Sequence, residues 1–150
     1  MGCFFNFTTM IEIKSFTSAD KAFYDKALEI RQQVFIDELN VDPTLEIENE
    51  ESCKFYLIFV NEKVAGTARW RENDKGIKLE RFALLPEFRN QGTGSILLKR
   101  ILDDILPFNK KIYLHAQLNA VRYYERQGFV KSGDIFTEAF IQHYLMIFQK

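Results

Sequence analysis

Along this chain the spacing of apolar residues switches between two periods, and each switch marks a change of element. Ile11, Ile13 and Phe16 are broken up by polar Glu12 and Lys14, which predicts a short strand, and Thr17 to Asp20 supplies helix-capping side chains. Phe23, Ala27, Ile30 and Val34 then recur at steps of four, three and four, one face of a helix running to about Leu39. From Asp37 to Glu51 there are seven carboxylates, no Lys or Arg, and Pro43 to interrupt regular structure. This stretch reads as an acidic loop.

Lys54 to Val60 is an apolar, aromatic run of strand length, Asn61 to Lys63 turns, and Val64 to Arg71 alternates as a second strand, which predicts an antiparallel hairpin. After a turn over Glu72 to Gly76, alternation puts Ile77, Leu79, Arg81, Ala83 and Leu85 on one face of a third strand and Lys78, Glu80, Phe82 and Leu84 on the other. Thr93 to Leu106 has helical spacing, Ile112 to Ala116 is a strand, and Asn119 to Gln127 is a short helix closed by Gly128. Strand character returns at Phe129 and Val130, at Ile135, and over Ile141 to Phe148. The order predicts one α/β (α+β) domain over residues 10–150, a mixed and mostly antiparallel sheet flanked by helices, behind a loose, flexible extension over residues 1–9.

A chain of 150 residues can bury about two-thirds of its unfolded surface without staples. The 15 Phe, 6 Tyr and 1 Trp call for either a large core or a deep apolar groove. Twenty basic and 21 acidic residues leave a net charge of -1 with no long basic run, which argues against nucleic acid as the main partner. Cys3 and Cys53 form no disulfide framework, as suits a reducing cytoplasm. They also make no metal site with His115 and His143, because no paired spacing exists. No apolar run approaches the roughly 18 residues of a membrane span. Asn6 occupies the place where an N-myristoylation motif needs Ser or Thr, so neither a membrane nor a lipid anchor is expected.

The chemistry concentrates at Glu80 to Ser95, where a strand runs through Pro86 into a loop carrying Arg89, Gly92 and Gly94 and then into a helix. Two glycines let the main chain approach a ligand, and the unpaired N–H groups of a first helical turn favour phosphate. A glycine-containing loop beside an exposed Arg, with no ligand, is the alternative. Dinucleotide and Walker loops are excluded, since the first needs a third Gly and the second a Gly-Lys-Ser/Thr ending.

Arg89, Asn90, Gln91, Gly92, Thr93 and Gly94 resemble the (R/Q)-x-x-G-x-(G/A) loop of the GCN5-related N-acetyltransferases, with Phe82, Ala83, Leu84 on the strand before it. The resemblance implies that this loop and Ser95 hold the pyrophosphate of acetyl-CoA, in a cleft between the central strands. It also implies that the backbone of Phe82, Ala83 and Leu84 binds the pantetheine arm like an added strand at a bulge. Downstream, Gln117, Ala120, Tyr124, Gly128 and Phe129 are similar to the family's N-x-x-A-x-x-x-Y-x-x-x-G-F, with Gln117 in place of Asn as a cofactor contact. The resemblance makes Tyr124 the general acid for the departing thiolate, a role suited to a phenol of reference pKa about 10. Packing of Tyr124 on a helix face is the alternative.

More narrowly, Arg31, Val34, Phe35, Glu38, Glu80-Arg81, His115-Ala116-Gln117, Glu138, Ile141, His143 and Met146 are similar to the ElaA-like branch, although Phe140 and Gln142 stand where Gly and Pro are common. The resemblance covers about Met10 to Phe148. It implies an acetyl-CoA-dependent N-acyltransferase acting on a small-molecule primary amine by direct attack in a ternary complex, with no metal.

A base must take the amine proton. Glu80 is the first candidate, on the strand face shared with Phe82 and Leu84 and expected to be half-buried with a raised pKa. His115 and His143 are rivals, and with Arg31 they are assigned to the acceptor site. A salt bridge remains open for Glu80, and an ordinary core role for each His. The acidic loop either attracts a cationic amine or is a solvated surface. An acyl-homoserine-lactone-type synthase and a non-catalytic acyl-CoA sensor or interaction module are the competing functions. A homodimer is left open.

Overall fold

The computed structural model describes residues 9–149, so the expected extension lies, apart from Thr9, outside the described residues. The elements are β1 (Ile11–Phe16), α1 (Lys21–Arg31), α2 (Pro43–Glu46), β2 (Cys53–Val60), β3 (Lys63–Asn73), β4 (Gly76–Leu84), α3 (Thr93–Ile105), β5 (Ile112–Gln117), α4 (Val121–Arg126), β6 (Phe129–Glu138) and β7 (Ile141–Phe148). They form one seven-stranded sheet in the order β1-β2-β3-β4-β5-β7-β6. Only β4 and β5 pair in parallel.

The helix predicted to end near Leu39 keeps its apolar face but changes pitch. After Arg31 it continues as a wider π-helical segment over Gln32–Glu38, with Leu39 N bonded to Val34 O at 3.2 Å. The acidic stretch after it is folded rather than loose. Asp42 caps α2 through Thr44 N at 2.9 Å, and Glu46 is buried.

Both faces of the sheet are covered, which is why β2 reads as a continuous apolar run rather than an alternating one. Phe55 and Leu57 pack with Phe16, Ala27, Ile30 and Val34 on the α1 face. Tyr56 and Ile58 pack with Leu97, Leu98, Ile101 and Ile105 on the α3 face. The two-residue turns over Asn61-Glu62 and Ala139-Phe140 have both central residues at positive φ, the hairpin geometry that suits strand twist. At the second turn a Phe takes the place where Gly is cheapest.

The alternation expected along β4 fails at one position. Thr67 pairs with Ala83 and Arg69 with Glu80, so Arg81 and Phe82 together oppose Ala68 in a bulge, with Arg81 at φ 57°. One extra residue moves everything after it to the other face. Glu80 therefore sits with Lys78 and the β3 arginines, while Phe82 and Leu84 join the α3-side core and Ala83 the α1-side core. Glu80 does not share a face with Phe82 and Leu84, contrary to the sequence expectation. Gly66 makes the bulged strand possible: a Cβ there would lie 2.8 Å from Ala83 O.

Candidate active site

Pairing between β4 and β5 runs only from Ile77↔Ile112 to Leu79↔Leu114. Beyond that the strands part, and the gap holds a cavity of about 630 Å³ bordered by the π-helical segment, the acidic stretch, β4, β5 and the β6–β7 turn. A second cavity of about 410 Å³ lies against the start of α3. Phe82, Ala83, Leu84, Arg89 and Tyr124 line both, so the two are one cleft crossing the sheet. The freed edge of β4 presents backbone groups to it, as an added extended ligand requires.

The α3 end is built for an anion. Gly92 is the N-cap at φ 80°, a conformation that favours glycine, and no side chain caps the helix. The N–H groups of Thr93, Gly94 and Ser95 precede the first intrahelical bond, from Ile96 N to Gly92 O at 3.2 Å, and are left for a ligand. Asn90, Gly92, Thr93, Gly94 and Ser95 all line this cavity. Gln91 does not, because its amide donates to Glu87 O at 2.9 Å. Arg89 faces the cleft but is already engaged, donating from Nε to Leu84 O at 2.9 Å and from both Nη atoms to Glu38.

Tyr124 stands where the cavities meet, edge-on to Phe82, Tyr123 and Phe129. Its hydroxyl makes no hydrogen bond among the described residues, and burial, helped by Tyr123, pushes its pKa well above the phenol value. The proton stays on oxygen. Tyr123 instead bonds Ser95 Oγ at 3.0 Å, tying α4 to the first turn of α3.

Glu80, Gln117, His115 and His143 line the larger cavity. Burial pushes the Glu80 carboxyl up, but Lys78, Arg69 and Arg71 outweigh this and hold it at about 2, the reverse of the raised value expected of a base. Arg31 lines neither cavity. It is fully buried on the α1 side, bonded to Glu46 at 2.8 Å and Glu50 at 2.7 Å, which removes it from the acceptor wall.

The two histidines engage the same ring nitrogen, Nδ1, with a protein partner. His115 Nδ1 is 3.1 Å from Glu138 Oε2, and that hydrogen bond holds the Glu138 carboxyl below its usual range. An ionised carboxylate only accepts, so Nδ1 carries a proton, and Nε2 makes no hydrogen bond among the described residues. His143 Nδ1 likewise donates to Ile141 O at 2.7 Å. Phe136 separates the rings, edge-on to His115 and stacked on His143.

Sequence reasoning assigned no role to Lys78 or Arg81, which also border the cleft, whereas the aromatic pair Tyr123 and Tyr124 was expected there. The local signal was the Glu80-Arg81 pair, and it did not show that a bulge turns both side chains to the same wall. The acidic stretch is a solvated surface only in part: Asp37, Glu38, Asp42, Glu48 and Glu51 are exposed, but Glu46 is buried and Glu50 half-buried. Glu46 and Glu50 neutralise buried arginines, and Glu38 pairs with Arg89.

Comparison with known proteins agrees with this geometry. Residues 18–150 match the family described as acetyltransferase (GNAT) domain. The chain is 33% identical over 129 residues to the uncharacterized N-acetyltransferase YjcF of Bacillus subtilis, covering 84% of this chain and 89% of the relative. Escherichia coli ElaA superposes with a TM-score of 0.82 at 21% identity, over 93% of this chain and 100% of that one. Arabidopsis thaliana Naa50, in complex with a CoA-Ac-MVNAL bisubstrate analogue, superposes with a TM-score of 0.64 at 20% identity, over 92% and 99%. The chain belongs to the GNAT acetyltransferase family and is an acetyltransferase.

Proposed function

We propose that this enzyme transfers an acetyl group from acetyl-CoA to a primary amine by direct attack in a ternary complex. One observation carries the reading: the parting of β4 and β5 puts an uncapped helix N-terminus, a half-buried phenol with no hydrogen-bond partner among the described residues and two oriented imidazoles along a single cleft. Arg89, Asn90 and the Gly92 to Ser95 turn would hold the pyrophosphate, the open edge of β4 the pantetheine arm, and Gln117 a further contact. When bound, acetyl-CoA supplies the thioester carbonyl on which the amine nitrogen closes its new bond.

His115 is the preferred base, because Glu138 orients its ring and leaves Nε2 to take the amine proton. A β4 N–H stabilises the carbonyl oxygen as it gains charge. Tyr124 Oη delivers a proton to sulfur as the carbon–sulfur bond breaks, so the products are an amide and a thiol. Its raised pKa suits a donor that must not ionise beforehand. Glu80, held ionised by three cations, acts as a structural anion.

The test is thiol release from acetyl-CoA against a panel of amines. Turnover that depends on Tyr124 supports the enzyme. Acetyl-CoA binding with no turnover on any amine indicates a sensor, and no binding defeats both readings.

A further inference from the structure

The wall of the larger cavity beside β4 is backed by a continuous, partly buried ion network. It runs from Arg81 to Glu46, Arg31, Glu50, Arg69 and Glu80, which also meets Arg71 and Lys78. Five cations, of which Arg31 and Arg69 are fully buried, share three carboxylates, Glu46 and Glu80 buried and Glu50 half-buried. The one further acid on the network among the described residues is the half-exposed Glu48, 3.6 Å from Arg81. Surplus buried charge is costly unless a counter-ion reaches it.

The surplus is also visible in unspent donors. Buried Arg69 Nε and Nη2 have no well-aligned hydrogen-bond partner. Arg81 uses Nε on Glu46 O and Nη2 on Leu45 O, both at 3.1 Å, leaving Nη1 without a partner among the described residues. Lys78 Nζ meets one carboxylate, Glu80 at 2.9 Å, although an ammonium has three donors. Of the five cations, Lys78 and Arg81 are the two that line the cavity, and Arg81 directly precedes Phe82.

Taking the acyl-transfer reading as given, we infer that the acceptor is an anionic amine whose carboxylate or phosphate is seated on Arg81 and Lys78. Charge-assisted bonds from a guanidinium fork and an ammonium suit oxyanions of either kind. The acidic stretch does not oppose this, because its carboxylates at the wall are already paired.

The experiment compares matched amines by kcat/KM in the thiol-release assay: leucine against isopentylamine, tyrosine against tyramine, and O-phosphoethanolamine against ethanolamine. At least one anionic member should be preferred by about tenfold or more, equivalent to about 1.4 kcal/mol. Whether the amino acids or the phosphate ester show it identifies the source of the oxyanion. Arg81→Gln and, separately, Lys78→Gln should raise KM for the anionic acceptor and shrink the preference, and Arg81→Lys should retain much of it. The Lys78 variant leaves Glu80 paired with both β3 arginines, which guards against a folding failure in the Arg81 variant. Equal or better use of the amines that lack the oxyanion overturns this inference and leaves the transferase reading intact. If acetyl-CoA binds but neither class reacts, the transferase reading fails. Calorimetry with N-acetylleucine against N-isopentylacetamide then decides the anion site: tighter binding of the carboxylate supports it, and equal or absent binding overturns it.

Discussion

Arg89 and Glu38 join opposite sides of the cleft through two parallel hydrogen bonds, Nη1 to Oε2 at 3.1 Å and Nη2 to Oε1 at 2.9 Å. The arginine comes from the loop before α3 and the glutamate from the end of the π-helical segment, so these two borders of the cleft are tied by one ion pair. Arg89 also holds the last carbonyl of β4.

In this arrangement Glu38 competes with an anionic ligand for Arg89. Glu38→Gln should tighten acetyl-CoA binding by about two- to fivefold at low salt, with a steeper loss as salt rises, since an exposed pair is worth little and is easily screened. Calorimetric titration at two ionic strengths checks this. Weaker binding in the variant would show that the pair organises the loop instead.

Loss of the Tyr124 hydroxyl removes the proposed proton donor without emptying the aromatic cluster around it. Tyr124→Phe should lower kcat by about 10²- to 10³-fold, with KM for acetyl-CoA nearly unchanged. Thiol release under saturating substrates measures it, and an unaltered kcat would remove Tyr124 from the chemistry.

Acid should destabilise the fold partly through Glu80. Its folded pKa of about 2 lies below the ordinary 4.5. Its contribution is therefore present above the ordinary value and fades as pH falls from about 4.5 towards 2. Full loss would be on the order of 3 kcal/mol. Urea midpoints at pH 6 and pH 3 should converge less steeply for Glu80→Gln, which starts from a lower stability at pH 6. Parallel acid slopes for both proteins would assign the sensitivity to other carboxylates.

The β6–β7 turn carries avoidable strain. Phe140 is 98% exposed at φ 64° and packs on nothing that would repay a left-handed backbone. Phe140→Gly should stabilise by about 0.5–1 kcal/mol, read as a higher thermal midpoint. A lower midpoint would mean that the Phe side chain supports the turn.

Features carried by neighbouring residues were legible before any coordinates. The R-x-x-G-x-G loop, the periodic faces of α1 and α3, and the spacing of Tyr124 from Gly128 are local patterns, and each lies on the element expected of it. The face assignment along β4 was misread, because period-two alternation assumes a regular ladder and one bulged residue inverts every side chain beyond it. The aromatic excess divides as the two readings allowed. Phe16, Phe55 and Phe129 are buried in the cores, while Phe82, Tyr123 and Tyr124 line the cleft.

Sequence alone was enough to establish the fold class and family resemblance and to single out the glycine loop before α3 and the candidate phenol, because contiguous spacing determines helix starts, caps and periodic faces. Tertiary structure decided which charges meet. Arg31 finds Glu46 at a separation of 15 residues, His115 finds Glu138 at 23, and Arg89 finds Glu38 at 51. No periodicity encodes such pairs. They arise where the sheet brings distant segments side by side, and they turned an apparent general base into a buried anion and an apparent acceptor residue into a member of the same ion network.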